Sequence, residues 1–146
     1  MISDELKLIK ENLEAKGIMH FIDGATEKQI YQFEEKNKIK FPLKYKEWLL
    51  FSDGGECFLP AGVQFYGISH KPTIDVQDDN RPSKNYIVIG ALSTGDPILC
   101  EKDTEKISIY NREAGIIEAD EQYKDFFCFL NDLVDILGIG DAADVK

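Results

Sequence analysis

The hydrophobic period of this chain changes at Asp53-Gly54-Gly55 and changes back before Phe126. Upstream, apolar residues recur every three or four positions, the spacing that lines one face of a helix. Downstream come short runs of β-formers separated by Gly, Pro, Asp and Asn. From Phe126 onward the helical spacing returns. Helices grouped first, strands grouped second and a helix last read as an α+β domain, not as alternating βαβ units. The expected architecture is therefore N-terminal helices, a central antiparallel sheet of about four to six strands, and a C-terminal helix packed on that sheet.

Three helices are legible before the change. Ser3 is an N-cap followed by Asp4 and Glu5, acids suited to the positive end of a helix. Leu6, Ile9 and Leu13 form its apolar stripe, and Gly17 supplies a stop. Thr26 and Gln29 have the spacing of a capping box, with Ile30 and Phe33 as the buried stripe of a helix ending near Asn37. Phe41-Pro42 opens the third helix, since proline tolerates the first turn and keeps the residue before it out of helical dihedrals. Tyr45, Trp48 and Leu49 then share one face, and Asp53-Gly54-Gly55 ends the helix.

Strands follow around 57–59, 63–66, 86–90, 98–100 and 107–110, with Ile116-Ile117 as a short further one. Residues 70–85 are polar and proline-punctuated, a long surface loop or irregular helix. Glu101–Lys106 connects a hairpin. In the last helix Phe126, Leu130, Leu133 and Leu137 recur at helical spacing, Gly138 ends it, and residues 140–146 read as a frayed tail. At 146 residues the chain is expected to be one domain, with a core over about 20–138 and an amphipathic helix within 1–19.

The order of these pieces resembles the SUKH superfamily, which includes fungal cell-wall-synthesis regulators and many bacterial toxin-immunity proteins. The resemblance covers roughly residues 20–138. It is carried by the capped helix from Thr26 to Glu35, then Phe41-Pro42-x-x-Tyr45-x-x-Trp48-Leu49, then Asp53-Gly54-Gly55. Gly95-Asp96 entering a hairpin and the aromatic-led helix at Phe126 complete it. Phe41 stands where the family most often has leucine, and Asp53 where it most often has asparagine. The resemblance implies an α+β fold with motif residues that are structural, and brings no catalytic residues to carry over.

Charge is distributed unevenly. Net charge is −10, and residues 74–146 hold 16 acids against 7 bases while residues 1–73 hold 11 against 10. Such a chain repels phosphate backbones and anionic lipid, so neither nucleic acid nor membrane is an expected partner. A basic protein is. Asp75, Asp78, Asp79, Glu101, Asp103, Glu105, Glu118, Asp120 and Glu121 fall in expected loops or element ends, where the sheet could gather some of them into one negative surface. Dispersed charge that serves solubility is the competing reading.

Other chemistry is poorly supported by the residues. Cys57, Cys100 and Cys128 are odd in number, widely spaced and set among apolar residues, which opposes a disulfide framework or a zinc knuckle. Cys57 with His70 is the one conceivable nucleophile–base pair, against the commoner role of free cysteine as a small core residue. Two histidines, His20 and His70, cannot build a multi-histidine metal site. Asp75, Asp78, Asp79 and Asn80 lack the glycine and terminal glutamate of a Ca²⁺ loop. No phosphate-binding glycine motif is present, and Lys36, Lys38, Lys40, Lys44 and Lys46 read as a solvated bend or a contact for phosphate or carboxylate. No cofactor or metal is expected. An acidic amphipathic N-terminus, no long apolar run and unpaired thiols lead to the expectation of a cytoplasmic protein.

Taken together, these readings lead to a non-enzymatic module that binds a protein. An immunity protein that neutralises a cognate, basic, nuclease-type toxin domain is the first expectation. A regulatory or scaffold protein of the cell-wall type is the second, and a small hydrolase the third.

Overall fold

A computed structural model describes residues 3–59, 62–68, 74, 86–101, 104–111 and 113–133, with backbone alone at 59 and 118–121. Four helices and seven strands follow in the order α1 (Asp4–Lys16), β1 (Ile18–His20), α2 (Glu27–Asn37), α3 (Leu43–Phe51), β2 (Gly55–Leu59), β3 (Val63–Phe65), β4 (Tyr86–Leu92), β5 (Pro97–Glu101), β6 (Ile107–Asn111), β7 (Ile116–Tyr123) and α4 (Phe126–Asn131). All seven strands form one antiparallel sheet in sequence order, a simple meander with β1 and β7 at its edges.

Local signals account for the helices. Ser3 Oγ accepts from the Leu6 N–H at 3.2 Å, and Leu6, Ile9 and Leu13 are buried. The capping box at Thr26 and Gln29 is complete, with bonds of 3.1 and 2.9 Å. In α2 the buried positions are Ile30 and Glu34, whereas Phe33 is only half-buried. Glu34 is inside because its carboxylate accepts the Phe41 N–H at 2.8 Å and faces Lys46 Nζ at 3.6 Å. Those contacts offset the cost of removing a charge from water.

Helix α3 carries the core. Tyr45, Trp48 and Leu49 are fully buried. The Trp48 ring meets Phe51 at 5.5 Å, Phe65 at 5.4 Å and Phe126 at 5.7 Å, all edge-to-face, the arrangement aromatic quadrupoles favour. These contacts tie α3 to β3 and α4. Ser52, not a glycine, caps the helix, and the glycines act one step later. Gly54 and Gly55 have φ of +101° and +113°, which turn the chain into β2.

Two strand expectations are corrected. The sheet has seven strands rather than four to six, because β1 was not expected and the residues at its end of the sheet pair only with β2. Three residues are too few to show a period of two. The last strand runs through Tyr123 instead of stopping at Ile117. Its alternation is broken because Ser108 faces Gln122 while Tyr110 faces Ile117, so residues 118–121 lie opposite Ile109 alone. Four residues against one make a larger bulge than the usual two against one. The expected continuation of α4 to Leu137, the loop at 70–85 apart from Ile74, and the tail lie outside the described residues.

Candidate protein-binding surface

Hairpin β5–β6 and strand β7 form one end of the sheet, and the stretch from Pro97 to Tyr123 holds seven acids against three bases. Three of the four residues in the β7 bulge are Glu118, Asp120 and Glu121. Acids on an edge strand oppose pairing with another copy of the same edge, and a bulge displaces backbone from the ladder. Glu101 closes β5 opposite Tyr86. Partial burial raises the Tyr86 phenol, and the Glu101 charge and hydrogen bond add to the shift. Asp75, Asp78, Asp79 and Asp103 lie outside the described residues.

Glu105 has a different engagement. Its carboxylate accepts the Leu43 N–H at 2.7 Å and the Lys44 N–H at 3.3 Å, capping α3 from the connection between β5 and β6. The cap residue itself, Pro42, has no side-chain acceptor to offer. The first N–H groups of a helix need such a partner. Glu105→Ala is expected to lower stability by about 1 kcal/mol, and Glu105→Gln by less, in urea unfolding of the full chain.

Other acids are also held within the fold. Asp125 caps α4 by accepting the Cys128 N–H at 2.8 Å. Glu47 accepts both the Ser3 N–H and the Ser3 hydroxyl, pinning the start of α1 to α3. Of the lysine cluster, Lys44 pairs with Glu5 at 3.1 Å and lies 4.9 Å above the Phe127 ring, while Lys36, Lys38 and Lys40 are exposed. The Lys44 ammonium is raised, first by its hydrogen bond to Glu5.

Residues of the Phe41-to-Asp96 motif each hold a contact. Phe41 stacks on Phe33 at 5.6 Å. The Tyr45 hydroxyl donates to the Tyr66 carbonyl at 2.8 Å, and Trp48 Nε1 donates to the Gly54 carbonyl at 3.0 Å. Asp53, which is 2 % exposed, accepts the Ile68 N–H at 2.6 Å and so ties the α3–β2 link to the chain after β3. A Cβ on Gly67 would stand 2.2 Å from the Asp53 carbonyl, so that approach requires glycine. Gly95 adopts φ +95° in the β4–β5 turn, which the Leu92 N–H to Asp96 carbonyl bond closes at 3.0 Å.

The thiols are protonated at neutral pH. Burial pushes Cys57 up to about 12 and raises Cys100 further. Cys128, at the surface, is raised by partial desolvation and by Asp125. His70 is outside the described residues. An unfolded chain releases the Cys57 proton near 9.0, whereas the folded chain holds it until about 12. The unfolded state therefore binds fewer protons above that lower value, and stability falls as pH rises through the interval. Urea unfolding between about pH 8 and about pH 10 is expected to show this fall, with a shallower slope in Cys57→Ala.

Among the described residues no group of three His, Cys, Asp or Glu side chains is placed to hold a metal ion. No helix among them is long and apolar enough to cross a membrane. Clefts among the described residues include one of about 330 Å³ beside Lys40, Pro42, Thr104 and Glu105, and one of about 180 Å³ over β2–β4. Sequence spacing alone could not reveal the Glu105 cap or the burial of Glu34 and Asp53, because each depends on a partner distant along the chain or across a bend.

No curated protein matches the chain. The sequence model of the SMI1 / KNR4 family (SUKH-1) matches residues 24–132, from the capped start of α2 through α4. With α2, α3, strands β2 to β7 and the closing helix all inside that match, the chain belongs to the SMI1 / KNR4 family (SUKH-1).

Proposed function

We propose that this protein is an immunity protein: a non-enzymatic module that binds one cognate toxin domain and blocks or distorts its active site. Family membership supports a module that works by binding another protein. The observation that carries the finer reading is the acidic bulge of β7, which puts Glu118, Asp120 and Glu121 on the edge strand at one end of the sheet. A toxin that cuts nucleic acid needs a basic cleft, and a negative edge complements it.

Co-expression supplies the test. This chain, expressed with a toxin encoded beside its gene, is expected to restore growth, and the association rate of the pair is expected to fall as salt rises. Absence of rescue for every neighbouring toxin overturns the reading. Stable complexes with housekeeping proteins, together with no rescue, would instead favour a regulatory or scaffold role.

A further inference from the structure

A second polar surface lies at the other end of the sheet, on the face turned away from the core. Across neighbouring strands, His20 faces Glu56, Glu56 faces Gln64, and Gln64 faces Ala91. Residues flanking this row, Cys57, Val63 and Phe65, belong to the core, so alternation places Glu56 and Gln64 on the opposite face. Over that row opens a cleft of about 180 Å³ lined by Glu56, Gln64, Ala91 and Ser93, with Gly62 and Val63 at its end. The Ser93 N–H donates to the Gly62 carbonyl at 3.0 Å, closing that end.

We infer that this cleft receives one arginine side chain of a protein partner, gripped by the Glu56 carboxylate and the Gln64 carboxamide oxygen above Ala91. Neither Glu56 nor Gln64 makes a side-chain hydrogen bond or ion pair with another described residue, so both acceptors are available. None of the residues named as its lining is basic, which favours a cationic occupant. Directly paired residues on antiparallel strands stand about 5 Å apart, a span that a planar guanidinium with five donors bridges better than a point-like ammonium. Ala91 is the small position in the row, and its methyl leaves room for the apolar stem of the guest. A Cβ on Gly62 would stand 2.0 Å from the Cys57 carbonyl, so the chain there runs close against β2 and walls the cleft.

The inference rests on the protein-binding reading for the source of the arginine, but its test uses a small probe. N-acetyl-arginine-N-methylamide is titrated into the full chain while NMR follows the Gln64 side-chain amide, the Ala91 methyl and the Ser93 amide. Saturable shifts centred on these groups are expected, absent with the uncharged citrulline analogue. Glu56→Gln, nearly isosteric and at a half-exposed position, is expected to weaken binding about tenfold. Ala91→Leu is expected to abolish it by filling the cleft, with circular dichroism unchanged. Shifts that never saturate, that spread over acids throughout the chain, or that persist equally with citrulline or in Glu56→Gln overturn the inference. Growth rescue by co-expression reads none of these groups, so the two proposals fail separately.

Discussion

Trp48→Ala is expected to destabilise the fold by about 4 kcal/mol, a large part of the ~5–15 kcal/mol that holds a typical domain together. The indole is fully buried and touches Phe21, Phe51, Phe65 and Phe126, which come from the β1–α2 link, α3, β3 and α4. Removing it leaves a cavity where helices and sheet meet, and aromatic rings fixed from four directions relax little into it. Urea unfolding checks the figure. Trp48→Phe is the conservative comparison, since it keeps much of the aromatic packing while losing the Nε1 donor and part of the ring volume. Gly54 would still be partnered, because the Ser52 hydroxyl also donates to its carbonyl at 2.8 Å. The conservative change is therefore expected to cost about 1–2 kcal/mol. A loss under about 1 kcal/mol for Trp48→Ala would mean that this ring does not join the layers.

Reversing the charge of the β7 bulge, with Glu118→Lys, Asp120→Lys and Glu121→Lys together, is expected to slow association with a basic toxin partner. The expected reduction is about 10- to 100-fold at low ionic strength, shrinking as salt is added, with a smaller change in dissociation. The fold should tolerate the change, because residues 118–121 all lie opposite one residue of β6 instead of pairing in step along the ladder. A matched control reverses Glu11, Glu14 and Glu35, which are exposed on α1 and α2. It alters net charge equally and is expected to leave the rate nearly unchanged. Equal slowing in both variants would show that total charge, not its placement at this edge, steers the encounter.

Local chemistry made much of the helical layer legible. Ser3, Thr26 and Gln29 cap the backbone within three residues of themselves, so their function is written in spacing alone. Tyr45, Trp48 and Leu49 share a face for the same reason. Strands with strong β-formers, such as Tyr86–Leu92, were equally readable. β1 was not, because Ile18–His20 becomes a strand only when β2 offers it a ladder.

For the candidate surfaces the division is sharper. The excess of acids in the second half of the chain was visible by counting, and so was the family resemblance that the 24–132 match bears out. Counting could not say which acids work inside the fold. Glu105 caps a helix 62 residues away, Asp125 and Glu47 hold helix ends, and Glu34 is buried against Phe41. Nor could it bring Glu56, Gln64 and Ala91 side by side, since their proximity is a matter of strand register. The sequence by itself determined the N-terminal caps of α1 and α2, the aromatic face of α3, the antiparallel class and the total charge, all set by short-range spacing or composition. Tertiary structure alone decided the edge strand β1, the β7 bulge, the cleft over β2–β4 and which carboxylates are occupied. Each of these depends on groups far apart in the chain meeting at hydrogen-bond or van der Waals distance.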